Sequence, residues 1–337
     1  MKTRAAYMKS PWQFEIREVE LSDTPPAGWI RLRVDACGIC GTDLTAAAEN
    51  TADWAAFGHE IAGVVEAVGP EVGTLEPGQS VALESGSACG RCDLCRDGRN
   101  DLCVGRVPGF WGQAAMGFSD TMLAPACCAV PYDGLPPAVA CLAEPAGVGF
   151  DMVRVADIRM GQRVCVVGPG LIALVALALA IRRGASEALC IGHSHSKARL
   201  ELAKGLGADV LAVDGPLDER DDLRRRFDHV LMAAPTQFIV PALALLDYGG
   251  TMTYIGIGTG DGTIRFDAND FHYRKLQLRA SFASPALYFP AVLRLLKAGA
   301  IPGEELISHT FKLAEIERAM LTCRDDKATA LKVVVTP

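Results

Sequence analysis

Four cysteines, Cys89, Cys92, Cys95 and Cys103, stand in the spacing C-x2-C-x2-C-x7-C. Four thiolates match the soft tetrahedral donor set of a structural zinc, which leaves no position open to substrate. An iron–sulfur cluster also takes four cysteines and is the main rival. Gly90, Asp93, Gly98, Asn100 and Asp101 lie among them, so the backbone can wrap tightly around a small ion. Free thiols and disulfides are the plainer alternatives. A disulfide framework suits small secreted domains, whereas a chain of 337 residues can bury a large core without staples. The spacing predicts a metal-held surface lobe with no catalytic work of its own.

A second set is more dispersed. Cys40-Gly41-Thr42-Asp43 follows a predicted strand, Gly58-His59-Glu60 precedes another, and Glu144 lies in Ala143-Glu144-Pro145. One thiolate, one imidazole and one or two carboxylates suit a catalytic zinc, which keeps a position open. Spacing alone leaves the alternatives standing: a single Cys is often a small core residue, and a His-Glu pair is often surface. A third motif, Gly168-Pro169-Gly170-Leu171-Ile172-Ala173, directly follows an apolar strand and opens a helix. It has the form G-x-G-x-x-A of dinucleotide-binding turns. Its glycines let backbone N–H groups approach a pyrophosphate at the positive helix end, and Ala173 is small enough for close helix–strand packing.

The elements that must position these residues fall into two styles. Residues 1–150 read as short strands between turns, with β-rich runs at Ile30 to Val34, Ile61 to Val68 and Ser80 to Leu83. From about 150 apolar strands alternate with helices. Strands are expected at Arg163 to Val167, Ala188 to Ile191, Ala208 to Val213, His229 to Ala233 and Thr251 to Ile257. Helices are expected from the Gly170 turn to about Arg183 and over Lys197 to Leu206. That alternation implies a parallel sheet covered on both faces. The β run Leu331 to Val335 could rejoin the first domain. The expected division is 1–150, completed by about 285–337, and 151–284.

Half the residues are hydrophobic, 22% are charged, and the net charge is −7. A mildly acidic chain without a basic block is a poor partner for nucleic acid or an anionic membrane. The apolar run Leu171 to Ile181 is too short to span a bilayer, and the first residues lack a secretory signal core. A cytoplasmic location is the expectation.

Taken in order, Cys37-Gly38-Ile39-Cys40-Gly41-Thr42-Asp43, Gly58-His59-Glu60, the four-cysteine lobe, Ala143-Glu144-Pro145 and Gly168-Pro169-Gly170 resemble the zinc-dependent medium-chain alcohol dehydrogenase family over nearly the whole chain. The resemblance implies an α/β architecture: a GroES-like β-rich catalytic domain and a Rossmann, doubly wound nucleotide-binding domain, with the active site in the cleft between them. It implies two Zn2+ per chain. Cys40 and His59 match ligands of the catalytic ion. Glu60 matches a carboxylate that binds or approaches the metal, and Glu144 falls at the third ligand position, where the polyol and sugar dehydrogenase branch has glutamate. Thr42 matches the hydroxyl that bonds the substrate oxygen, and Asp43 the acid that orients the histidine ligand.

The family pattern places Ser194 where an acidic residue usually holds the ribose 2′-hydroxyl of NAD. The segment Gly192-His193-Ser194-His195-Ser196-Lys197 holds no carboxylate. Ser194, His195, Lys197 and Arg199 could receive a 2′-phosphate, which favours NADP over NAD, against the lack of an Arg directly after the serine. Ile255 and Gly256 resemble the strand end that contacts the nicotinamide, and Lys332 the late basic residue near the pyrophosphate.

Thr45 stands where many family members have a proton-relaying histidine. Phe282 is followed by Ala283-Ser284 rather than the Arg-Tyr pair of polyol dehydrogenases, which argues against a sorbitol-type substrate. Trp54, Phe57, Phe110 and Trp111 are candidates to line the pocket, with ordinary core as the alternative. The expected reaction is hydride transfer between NADP(H) or NAD(H) and a secondary alcohol or ketone of a polyol, sugar or cyclitol, in a homodimer or homotetramer. The rival readings are a threonine-type amino-alcohol dehydrogenase and a zinc- and dinucleotide-binding protein without turnover.

Overall fold

The computed structural model describes residues 1–107, 109–256 and 262–337. The chain forms two compact units, one of residues 1–147 with 283–337 and one of residues 148–282. No helix among the described residues is long and apolar enough to cross a membrane.

The first unit is built on strand alternation. Trp29–Gly38 buries Ile30, Leu32, Val34 and Ala36 on one face, the period of two that a half-buried strand requires. It runs four residues beyond the apolar run Ile30 to Val34, because Glu60–Val68 pairs with Ala36, Cys37 and Gly38, and the C-terminal strand pairs with Cys37 and Gly38. That extension carries the chain to Cys40. Ser80–Leu83 and Ala129–Pro131 continue the sheet beyond Glu60–Val68. The C-terminal run forms Lys332–Thr336, which pairs antiparallel with Trp29–Gly38 and parallel with Ile307–Lys312. A smaller antiparallel sheet of Lys2–Lys9, Gln13–Glu20 and Ala55–Ala56 packs with it around Ile30, Leu32, Ile61, Leu83, Phe118 and Met122.

The second unit holds a six-stranded parallel sheet. Its spatial order is Asp209–Ala212, Glu187–Gly192, Arg163–Val167, Phe227–Met232, Leu246–Tyr254 and Gln277–Ala280. In chain order this is 3-2-1-4-5-6, the doubly wound arrangement whose switch point lies beside its first strand. Helix Leu171–Arg182 is apolar nearly all round, with Ala173 to Ala180 buried, as a helix enclosed by its surroundings should be. The strand expected over Thr251 to Ile257 begins earlier and ends at Tyr254; Ile257 lies outside the described residues.

Candidate active site

Ile39 and Cys40 follow the strand Trp29–Gly38, and Cys40 caps the short helix Gly41–Thr45. The Asp43 carboxylate closes that turn by accepting the Cys40 N–H at 2.9 Å. Its other oxygen lies 3.6 Å from His59 Nδ1. His59 directly precedes Glu60–Val68, and Glu60 opens that strand opposite Gly38. The two neighbouring strands thus bring Cys40, His59 and Glu60 together, with one ligand atom from each lying within 4.8 Å of the others. His59, Glu60 and Asp43 are buried.

This donor set suits zinc, which takes thiolate, imidazole and carboxylate. His59 Nδ1 is buried without a hydrogen-bond partner. An imidazole that gives Nε2 to a cation keeps its proton on Nδ1, the nitrogen facing Asp43, so the orphaned atom has its use in a metal site. Burial pulls the His59 pKa down, but the Asp43 carboxylate, Cys40 and Glu144 push it well above the usual imidazole value.

Glu144 lies in the first turn of helix Ala143–Ala156. Its Oε1 is 3.5 Å from the Ser85 hydroxyl, and it is not one of the three groups that converge within 4.8 Å. Desolvation pushes its carboxyl up to about 7, with His59 and Lys332 pulling down and Glu60 pushing up. Thr42 is exposed at the site. Thr45 donates its hydroxyl to the Gly41 carbonyl at 3.2 Å.

Lys332 is bound within the first unit. Its ammonium is buried and ion-paired to Glu60 at 2.6 Å, with a further hydrogen bond to the Ile39 carbonyl. The cause is sheet pairing: Lys332–Thr336 adds to Trp29–Gly38 and draws residue 332 into the first unit. Sequence reading also missed Ser85, and Gly38, whose missing side chain makes room for the Glu60 carboxylate. Of the four candidate pocket aromatics, Phe57 and Phe110 are core, and Trp54 lies under Arg17. Trp111 is half exposed, its ring 5.3 Å from that of His59 and its indole N–H on the Ser85 carbonyl at 2.6 Å.

The sulfur atoms of Cys89, Cys92, Cys95 and Cys103 all lie within 4.8 Å of one another. Cys89 and Cys103 sulfurs are 3.4 Å apart, and Cys92 and Cys103 sulfurs 3.9 Å. A tetrahedral ion with Zn–S bonds of about 2.3 Å sets its sulfurs about 3.8 Å apart, so the four fit one ion. A cluster that gives each thiolate its own iron would hold them farther apart. Gly90 and Gly98 take positive φ, 66° and 78°, where the chain doubles back. All twelve cysteines are free. Of those outside the two metal groups, Cys127 is exposed and Cys323 half-buried, while Cys37, Cys128, Cys141, Cys165 and Cys190 are buried.

In the second unit, Gly168 has φ 90° and its N–H bonds to the Ile191 carbonyl. A Cβ there would lie 3.1 Å from Ala234. Pro169 packs against Gly192, and Gly170 caps helix Leu171–Arg182. Leu171 and Ala173 are buried, with Ile172 partly exposed. The turn therefore presents a helix N-terminus at the switch point of the sheet. Ser194, His195 and Lys197 are exposed after the second strand, with Arg199 partly covered. The expectation that no carboxylate stands there needs correction. Asp214, following the third strand, accepts the Ser194 N–H at 2.9 Å and lies 3.4 Å from His193 Nδ1. Parallel pairing of Glu187–Gly192 with Asp209–Ala212 brings it alongside. Ile255 donates its N–H to the Met232 carbonyl, and Gly256 lies against Tyr254 and Thr236.

Residues 26–134 match the family model described as alcohol dehydrogenase GroES-like domain, and residues 172–298 match zinc-binding dehydrogenase. The chain is 30% identical, over an alignment 354 positions long, to a probable alcohol dehydrogenase of Mycobacterium tuberculosis, covering 96% of this chain and 95% of that one. It is 29% identical to L-galactonate-5-dehydrogenase of Escherichia coli K12, covering 85% of each. Its fold matches that of the alcohol dehydrogenase rspB of Escherichia coli CFT073, complexed with NADH, with TM-score 0.88 at 25% identity over 100% of this chain and 99% of that one. These likenesses run through both units and both motif sets, and the chain belongs to the zinc-dependent medium-chain alcohol dehydrogenase family of oxidoreductases.

Proposed function

We propose that the protein oxidises a secondary alcohol on a polyol, sugar or cyclitol, or reduces the matching ketone, with a nicotinamide dinucleotide as hydride partner. The observation that carries this reading is the convergence of Cys40, His59 and Glu60 beside the exposed Thr42. The likeness to L-galactonate-5-dehydrogenase supports the substrate class. The first unit supplies the zinc chemistry and the second the dinucleotide site.

Two zinc ions per chain are assigned. Cys89, Cys92, Cys95 and Cys103 hold one as a structural staple. Cys40, His59 and a carboxylate, Glu144 or Glu60, hold the other. Bound there, zinc polarises an alcohol or carbonyl oxygen and makes its ionisation accessible near neutral pH. The chain does the rest. Asp43 fixes the Cys40 turn and the His59 imidazole. The Thr42 hydroxyl holds the substrate oxygen and takes or returns its proton. With Thr45 bonded to Gly41, the next proton carrier is water or a ribose hydroxyl of the cofactor. The half-exposed face of Trp111 flanks the site from the His59 side.

At the second unit, the Gly168–Gly170 turn and the N-terminus of the Leu171 helix receive the pyrophosphate, and Ile255 and Gly256 lie toward the nicotinamide. Ser194, His195, Lys197 and Arg199 favour NADP(H) over NAD(H), with Asp214 as the opposing charge. We take the enzyme to be a cytoplasmic homodimer or homotetramer acting on small molecules, without nucleic acid or membrane; light scattering tests the assembly.

The deciding experiment combines metal analysis with turnover. Two zinc per chain and reduction of NADP or NAD by a panel of polyols, sugars, cyclitols and amino alcohols are expected. Cys40→Ser is expected to lose one zinc and more than about 100-fold in turnover while keeping the fold. Undiminished activity in that variant would overturn the open-zinc reading. A preference for amino alcohols would move the substrate class to the threonine-type branch.

A further inference from the structure

Two claims meet on one carboxylate. Glu60 contributes an oxygen to the group formed with Cys40 and His59. Both its oxygens also accept hydrogen bonds from Lys332 Nζ, at 2.6 and 2.7 Å. The same ammonium donates to the Ile39 carbonyl at 2.7 Å. A lysine ammonium has three hydrogens, and all three have partners inside the first unit. Glu60 is 0% exposed and Lys332 5%, so water does not compete for either.

Three adjacent strands build this contact. Gly38 pairs with Glu60 on one side and with Val334 on the other, and Lys332 heads the strand that carries Val334. Gly38 completes the cradle: a Cβ at that position would lie 2.0 Å from Glu60 Oε2. Any side chain there would push the carboxylate out of its place. Bare backbone lies on one side of Glu60, and an ammonium neutralises both its oxygens.

The charges point the same way. A Cys40 thiolate with Asp43, Glu60 and Glu144 gives four negative groups. A bound dication and Lys332 together leave this cluster one charge negative; without Lys332 it would be two charges negative. An unpaired Glu60 would then be drawn to the cation as a further ligand and would occupy the position that substrate needs.

We infer that Lys332 is a positioning residue: it holds Glu60 away from the catalytic cation, so that coordination stays open, and it gives Glu60 to the metal only when the ion pair breaks. This rests on the zinc reading given above, with Glu144 as the carboxylate ligand. It makes Lys332 a determinant of metal coordination.

The test uses full-length protein with zinc in the cysteine lobe and cobalt(II) at the second site. Visible absorption reports coordination number, and competition with a chelator reports affinity. In Lys332→Met, the freed carboxylate is expected to add to the ion, weaken the d–d absorption and change cobalt affinity by about tenfold or more. In Lys332→Met with Glu60→Gln, spectrum and affinity should return to those of Glu60→Gln alone, because the positioning acts through that carboxylate. Lys332→Arg should keep the parent spectrum. If Lys332→Met does not fold, Lys332→Gln, which can still donate one hydrogen bond but carries no charge, is held to the same outcomes. A parent-like spectrum and affinity in the charge-free variant, or an effect that persists in the double variant, overturns the inference. If the parent chain takes no cobalt beyond the lobe, the zinc reading itself has failed, a separate and visible outcome.

Discussion

Asp43→Asn is a small change with a sharp consequence. Asp43 is 4% exposed and uses both oxygens, one on the Cys40 N–H at 2.9 Å and one toward His59 Nδ1 at 3.6 Å. The amide oxygen of asparagine can keep the first contact. Its NH2 then faces Nδ1, donor against donor, while the imidazole carries its proton there. The ring can relieve the clash by moving that proton to Nε2, the nitrogen a cation needs. Removing the orienting partner of a ligand histidine lowers metal affinity by about 10–100-fold, roughly 1.4–2.8 kcal/mol. We expect zinc affinity at the Cys40 site to fall by about that factor, while the four-cysteine lobe, which has no contact with Asp43, keeps its ion. Competition with a chromophoric chelator resolves the two ions as two phases. Parent-like affinity in both phases would show that Asp43 does not orient His59. Loss of both ions together would show a global folding defect instead.

Two further outcomes are expected. Burial pushes the Glu84 carboxyl up to about 8 from 4.5, with the Ser87 hydroxyl pulling the other way. A pKa raised in the folded state means stability present below the unfolded value and lost as pH rises through about 8. Glu84→Gln should therefore be near neutral at pH 4 and stabilising by about 2–4 kcal/mol above pH 8, read as thermal midpoints at the two pH values; equal midpoint changes at both would refute it. At the dinucleotide unit, Asp214→Ser removes the carboxylate bonded to the Ser194 N–H and should raise kcat/KM with NADP relative to NAD severalfold; an unchanged ratio would show that Asp214 plays no part in cofactor choice.

Local pattern made much of this molecule readable. The second unit was legible because five of its six strands hold short apolar runs, and because Gly168-Pro169-Gly170 must stand where a strand gives way to a helix; the sixth, Gln277–Ala280, mixes Gln and Arg with Leu and Ala and carries no such signal. The cysteine lobe was legible because its four ligands lie within fifteen residues and share one geometry. Cys40, His59 and Glu60 were harder. Cys40 lies on one segment and His59 with Glu60 on another, and only the ordered resemblance across the chain joined them before the strand pairing did.

What sequence could not supply is whatever depends on one strand lying beside another. Asp214 stands twenty residues from Ser194 and meets it only because the second and third strands of the sheet are parallel neighbours. Lys332 is 272 residues from Glu60 and meets it because the C-terminal strand adds to Trp29–Gly38. Phe110 and Trp111 are adjacent and equally aromatic, yet one is core and the other flanks His59. The order of residue types along the chain determined the chemistry available: two metal donor sets and a phosphate-binding turn. Sheet pairing decided which charges face each other, because a side chain's partner is fixed by register and burial between strands, and neither is written in the spacing of either strand alone.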